Sequence, residues 1–350
     1  MGRAEINCLC DAFDETCRQA VSDCNSEKCL QRVDDQLWSL TGQICRSIDS
    51  CSNEELSGLF ETHFEPNVLK WCRTNSFISN LWTKPSGYAG DYRTIEMICQ
   101  NHRSWTAFED IFLNHLLRST MAKQHRAKVA DQAAFVANIL ETRRKPKLLD
   151  AGCGPCFDVR LALQRIRLPR EAELVFVDLD PSAISFAESQ LKESISGVKT
   201  RFLVGHVLSV IKELSANVYE VGTYDAILFG GLFDYLPDRM IIHLLRMAMR
   251  LLRPDGQILF SQVSPDNPDR TFMKWYGDWE LRQRDEQALR GLCSGAGVEL
   301  SRVKFRRERC GIAILAQIGN CLTEKDHLSS SMNPVESYGR TIGDAGSGSA

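Results

Sequence analysis

Apolar residues in the first 139 positions recur at three- and four-residue spacing, as Leu37, Leu40 and Ile44 do in one stretch and Ile111, Leu113, Leu116 and Leu117 in another. That period places them on one face of an α-helix, so Gly2 to about Ile139 is expected to be helical throughout, without a strand. One segment interrupts it. Lys84-Pro-Ser-Gly-Tyr-Ala-Gly-Asp91 contains Pro85, Gly87 and Gly90, which break a helix, and it predicts a loop carrying a tyrosine and an aspartate between helices.

From Lys147 the pattern changes to short apolar runs alternating with amphipathic stretches. It predicts strands over 148–151, 174–177, 200–204, 224–229 and 257–262, and helices over 157–166, 182–193, 207–214 and 237–252. Strict alternation of strand and helix is the signature of a mostly parallel α/β sheet. Pro237 stands at a first helical position, and Pro254-Asp-Gly256 follows the end of that helix, as helix boundaries prefer. A helix over 285–296 comes next. Two further runs, 298–305 and 311–318, joined by the charged turn 306–309, predict a terminal hairpin. From Thr323 the chain is polar and ends in Gly, Ser and Ala, a composition expected of a disordered tail. The predicted organisation is a helical lid or substrate domain over 1–140, a catalytic α/β domain over 141–320 and a tail over 321–350.

The bulk numbers narrow the class of partner. In 350 residues, 43% are hydrophobic and 25% charged, ordinary values for a globular chain with a sizeable core. A formal charge of -3 offers phosphate no general attraction, so nucleic acid is not an expected partner. No apolar run of membrane-spanning length and no secretory leader is seen, so a cytoplasmic location away from membranes is expected. The fourteen cysteines are scattered and should be reduced thiols. Cys8, Cys10, Cys17, Cys24 and Cys29 lack paired ligand spacing, and no metal site is expected.

The strongest chemical signal is Leu148-Leu-Asp-Ala-Gly-Cys-Gly-Pro155 between a strand and a helix. Glycines there let the backbone approach a ligand, and the Asp150 carboxylate can accept from an ammonium or order water. Cys153 and Cys156 form a CxxC inside this loop, but the glycines explain the segment better than a redox role does. A dinucleotide would want a third small residue where Phe157 stands, so NAD is disfavoured. Asp178 ends the next strand, 24 residues beyond Gly154 (178 minus 154). A carboxylate at that place reaches two ribose hydroxyls.

These residues resemble the class I S-adenosylmethionine (SAM)-dependent methyltransferases, over about Lys147 to Ile318. The resemblance implies a Rossmann-like seven-stranded sheet closed by an antiparallel hairpin, SAM as cofactor, and a small-molecule methyl acceptor. It further implies that Asp150, Gly152 and Gly154 meet the methionine part of SAM, that Asp178 with Leu179 holds the ribose, and that Phe229 and Gly230 flank the transfer site. Where the family usually has an aspartate for the adenine amine, this chain reads Gly205-His206-Val207; His206 could offer a neutral ring nitrogen as acceptor, with Val207 beside the ring. The Asn/Asp-Pro-Pro-aromatic sequence of amino methylases is absent from 229–236. Phe233, Asp234 and Tyr235 stand there instead, a surface suited to a small molecule.

Three fragments, Gly87-Tyr-Ala-Gly-Asp91, Gly231-Leu-Phe-Asp-Tyr-Leu236 and Trp279-Glu-Leu-Arg-Gln-Arg284, are similar to a bacterial group typified by methyltransferases that esterify 3-hydroxy fatty acids into quorum-sensing signals. On that analogy Tyr88 and Asp91 form a lid over SAM, and Arg126 pairs with its carboxylate. Tyr88, Asp234 and Tyr235 are the catalytic candidates, and Tyr92, Phe233, Tyr276 and Arg284 the substrate-side ones. SAM carries an already activated methyl group, so a carboxylate acceptor, ionised at pH 7, would need no base. Transfer to nitrogen or sulfur of a small polar metabolite stays open. So does aminopropyl transfer on the same fold, which an acidic pocket around Asp91 and Asp234 would favour.

Overall fold

The computed structural model describes residues 3–22, 27–47, 52–104 and 107–319. Cys24 and the segment expected to be a disordered tail lie outside them. Before Lys147 the described residues are helical, as the 3.6-residue period requires, in helices that include Arg3–Ser22, Glu27–Ser47, Ser76–Thr83, Tyr92–Gln100, Asp110–Arg118 and Thr120–Thr142. The Lys84–Asp91 segment is a loop. Lys84 ends the preceding helix with φ +46°, and Asp91 starts the next by accepting a hydrogen bond from the Thr94 amide at 2.9 Å. The core of this layer joins Phe13, Leu37, Phe64, Leu69, Phe112 and Leu117 to Phe272, Trp275 and Tyr276. The last three belong to a helix, Arg270–Gly277, absent from the predicted elements. Eight residues give too few turns for a legible period, and their apolar face is matched to the N-terminal layer.

The sheet has seven strands: β1 (Lys147–Ala151), β2 (Glu173–Asp178), β3 (Lys199–Val204), β4 (Tyr224–Phe229), β5 (Leu252–Val263), β6 (Val303–Arg307) and β7 (Ala313–Ile318). Their order is β3-β2-β1-β4-β5-β7-β6, parallel except at β7, which runs antiparallel to both β5 and β6. β5 starts five residues ahead of its predicted run, because Leu252 already pairs with Tyr224 before a register shift. β6 starts later than predicted, since 300–302 coil into a helical turn. Arg306 and Arg307, predicted in the turn, pair with Leu315 and Ile314. The Glu308 carboxylate holds the turn instead, accepting from the amides of Ile312 at 2.8 Å and Ala313 at 3.2 Å.

Side chains alternate between the two faces of each strand. Leu149, Val175, Ile227, Phe229 and Phe260 pack with the helices Val207–Ala216, Asp238–Leu251 and Glu286–Gly295. Leu148, Leu174, Phe176, Leu228 and Leu259 pack with Phe157–Leu163, Pro181–Leu191 and the C-terminal half of Thr120–Thr142, through Val136, Ile139 and Leu140. Strand order reverses between β1 and β4. In an open parallel sheet that switch point leaves a crevice beyond the C-terminal strand ends, where ligands bind. No helix among the described residues is long and apolar enough to cross a membrane.

Candidate active site

At the tip of β1 the backbone of Gly152 has φ +76° and that of Gly154 +51°, left-handed values that favour glycine. A Cβ on Gly154 would stand in open space, so conformation rather than crowding selects glycine there. The amides of Gly152 and Cys153 both donate to the Val177 carbonyl, at 2.8 and 3.1 Å, which ties the loop to β2. Asp178 completes the tie. Its Oδ2 accepts from the Gly154 amide at 2.8 Å and its Oδ1 from the Asp180 amide at 3.0 Å. Each oxygen keeps a second lone pair for a ligand hydroxyl. Burial lifts the Asp178 carboxyl above its ordinary range.

Asp150 is 1% exposed, and its Oδ2 has no hydrogen-bond partner among the described residues. Burial, then the nearby Asp158 and Asp178, hold its carboxyl well above the usual carboxylate range. Such a group ionises readily only when a cation comes to it. A cavity of about 360 Å³ opens beyond it. Among the described residues, Asp150, Asp158, Asp178 and Asp234 line this space against one ammonium, that of Lys128. Burial pushes Asp158 and Asp234 up to about 6. This wall carries an excess of negative charge, an unanswered carboxylate oxygen and a glycine cradle, and these fit the ammonium and sulfonium of SAM.

Leu179, 61% exposed, and the buried Val207 also line the cavity. His206 lines it too, in a role other than the expected acceptor. Its Nδ1 accepts from the Leu208 amide at 3.2 Å, capping the helix Val207–Ala216. In the neutral ring the proton then sits on Nε2, which leaves that nitrogen a donor rather than an acceptor.

The Lys84–Asp91 loop is pressed onto the cavity from the helical side. A Cβ on Gly90 would fall 2.1 Å from Tyr235 Oη and 2.8 Å from the Trp279 ring. Trp279 Nε1 donates to that Oη at 2.9 Å, and the Tyr88 ring lies 6.3 Å from the Tyr235 ring. Burial, then Asp178 and Asp180, raise the Tyr88 hydroxyl, which stays protonated. Tyr92 lines the cavity with its ring 5.3 Å from that of Phe186. Tyr276 lines it while its Oη meets Thr41 Oγ1 at 3.4 Å.

Several sequence-derived candidates stand elsewhere. Arg126 donates to the carbonyls of Ile98 at 3.2 Å and Leu117 at 2.9 Å, closing two helix ends, and does not line the cavity. Phe229 and Phe233 are fully buried and pack on each other at 5.0 Å beneath the cavity floor. Arg284 donates to the carbonyls of Phe233 at 2.9 Å and Leu236 at 2.6 Å and pairs with Asp238, which makes it a staple for the β4 loop. Asp234 does reach the cavity, but its Oδ1 already accepts from the Val263 amide at 2.8 Å and from Gln262 Nε2 at 2.6 Å. Asp91 serves as a helix cap. The acidic amine pocket envisaged around Asp91 and Asp234 is therefore not assembled.

The sequence reading missed one face of the helix Thr120–Thr142. Gln124, His125, Lys128 and Gln132 all line the cavity, at a spacing that stacks them along a single stripe. Gln132 Nε2 donates to the Gly230 carbonyl at 2.6 Å, which fixes the helix to the tip of β4. The available signal was a polar stripe at four-residue spacing on a helix whose other face is Ala, Val and Ile.

Residues 148–256 match the family model described as a methyltransferase domain. No curated protein matches the sequence. Solved structures to which the chain is similar include a possible exported protein from Bordetella parapertussis, at 12% identity over 65% of this chain and 79% of that one, with a TM-score of 0.49. Magnesium protoporphyrin IX methyltransferase from Synechocystis, with bound SAH, is 16% identical over 58% of this chain and 88% of that one, at a TM-score of 0.41. An O-methyltransferase family protein from Burkholderia thailandensis is 16% identical over 65% and 67%, at 0.41.

Proposed function

We propose that this chain, whose residues 148–256 form a class I SAM-dependent methyltransferase domain, methylates a small acceptor with an apolar body, at a carboxylate oxygen. The observation that carries the reading is the unpartnered, buried Asp150 Oδ2 behind a left-handed glycine loop, at the point where strand order reverses. When bound, SAM supplies a methyl group that is already activated. The protein's task is then to bind, orient and exclude water.

Asp150 accepts from the cofactor's ammonium, and Asp178 offers its remaining lone pairs to the ribose hydroxyls. Tyr88, with Tyr235 and Trp279 behind it, covers the cavity from the helical side. Lys128 is the only lysine or arginine lining the cavity, makes no ion pair within 4 Å among the described residues, and has its Nζ beside Gly231. It is the group to hold an acceptor carboxylate. Such an acceptor asks for no proton acceptor, which suits a cavity whose only imidazoles among the described residues are His206, engaged as a cap, and His125. Burial, then Lys128 and Arg126, hold His125 well below its ordinary value, so it is poorly placed to take a proton.

The three fragments similar to the ester-forming group support this reading. Gly90, Tyr235 and Trp279 come from different fragments and touch one another over the cavity. Aminopropyl transfer is disfavoured by the engagement of Asp91 and Asp234 with backbone amides. The test is titration calorimetry with SAM and SAH, followed by a methyl-transfer assay on medium-chain carboxylic acids, amines and thioethers with mass detection. Binding of SAM with ester formation on an acid is the expected result. A protein that binds neither SAM nor SAH would remove the reading, and product on amines alone would replace the carboxylate.

A further inference from the structure

Four of the buried polar side-chain atoms without a partner among the described residues belong to residues lining this one cavity: Asp150 Oδ2, Gln124 Oε1, Gln124 Nε2 and His125 Nε2. Buried polar atoms are nearly always paired, with protein, water or ligand, so two such clusters on one cavity mark two ligand contacts. The first is answered by the cofactor's ammonium. The second lies elsewhere. Gln132 touches the tip of β4, and Gln124 stands eight residues earlier on the same helix, about 12 Å away at 1.5 Å per residue. That distance takes Gln124 away from the β4 tip; Ala122, two residues before it, packs in one cluster with Ile98, Leu116, Phe272 and Tyr276, which also line the cavity.

We infer that Gln124 and His125 determine acceptor specificity, by pairing with an uncharged group that both donates and accepts hydrogen bonds, a hydroxyl or a carboxamide, set into the apolar body of the acceptor. The inference rests on the methyltransferase reading of the same cavity. Gln124 offers a donor nitrogen and an acceptor oxygen, both unpartnered among the described residues, and is fully enclosed, so a ligand group lacking either function leaves a buried atom unpaired. A site built in this way rejects the purely apolar analogue more strongly than an apolar site rejects a hydroxyl. Burial, then Lys128 and Arg126, keep His125 neutral, and a cation there would meet like charge. The spacing sets the position on the acceptor: Gln124 and Lys128 are four residues apart, about 6 Å along the helix, so the neutral group should lie about that far from the carboxylate that Lys128 holds.

The probe is 4-(hexanoylamino)butanoate, with undecanoate as the amide-free acid of equal chain length, each titrated into protein saturated with SAH. The amide acid should bind the native chain at least about tenfold more tightly, the value of one to two net hydrogen bonds. That preference should vanish in Gln124→Leu and shrink in His125→Phe, with SAH affinity unchanged in both. Without any acceptor, Gln124→Leu should also raise Tm, by about 2–4 °C, because two unpaired polar groups leave the interior. Equal binding of the two acids, a preference that survives Gln124→Leu, or a fall in Tm that marks Gln124 as a structural support would each overturn the inference. Failure of SAH itself to bind would instead strike the methyltransferase reading beneath it.

Discussion

Replacing Asp150 by Asn should move ligand affinity and folding stability in opposite directions. The side chain is 1% exposed and nearly isosteric with its replacement, so the shape of the glycine loop is kept. A charge-assisted hydrogen bond from an ammonium contributes about 1.5–3 kcal/mol, and its loss should weaken SAM and SAH binding by about 10- to 150-fold. Stability follows from the sign of the proton linkage. The Asp150 carboxyl is harder to ionise in the folded chain than in the unfolded one. Below the unfolded carboxylate range the group carries no penalty. As pH rises toward the folded value, the native state is progressively disfavoured relative to the unfolded chain. Asparagine removes that penalty, so the ligand-free variant should melt at or above the native protein at pH 8, with a smaller difference at pH 5. Calorimetric titration with SAM and scanning fluorimetry at the two pH values read both effects. Undiminished SAM affinity would refute the reasoning, as would a ligand-free variant that melts well below the native protein at pH 8.

Three further outcomes are expected. With Asp158 and Asp234 at about 6, SAM should bind more tightly at pH 7.5 than at pH 5, because their ionised forms attract its net positive charge; a flat calorimetric profile over that range counts against the charge argument. Gly90→Ala places a methyl group 2.1 Å from Tyr235 Oη, an overpacking that costs about 1–3 kcal/mol; it should lower methyl-transfer kcat/KM more than tenfold by unseating the loop, whereas native turnover would show that the loop does not cover the reaction. Phe233→Ala opens the core between Phe229 and Phe260 and should destabilise by about 3–5 kcal/mol, visible in urea unfolding; a stable variant with altered acceptor preference would return Phe233 to the substrate wall.

What was legible in the sequence follows the range of the signals. Asp150, Gly152, Gly154 and Asp178 fall within one βαβ unit, where strand period and turn chemistry fix positions relative to each other, and all four line the cavity as a local reading implies. Phe233 and Arg284 could not be placed in that way. A phenylalanine in a loop after a strand reads the same whether it points down into Phe229 and Phe260 or up into the crevice. The partners that hold Arg284 lie 22 to 51 residues away. Arg126 failed for a related reason: the helix carries polar residues at 124, 125, 126, 128 and 132, and only its rotation decides which face the cavity. That rotation is set by Val136, Ile139 and Leu140 against the sheet and by Gln132 on Gly230.

On the proposed reading, the same helix would couple cofactor and acceptor binding. Its C-terminal half is part of the sheet's core and its N-terminal half is a wall of the cavity, so Lys128 is held near Asp158 and Asp234 by packing rather than by ion pairing. Burial works against both the ammonium and the two carboxyls, and each makes the other's charge easier to bear. A bound cation would stabilise the ionised aspartates and release part of their hold on Lys128, leaving its charge freer for an anionic acceptor. Cofactor first and acceptor second is the binding order this arrangement favours, with the acceptor's affinity rising when SAM, rather than the less positive SAH, fills the loop.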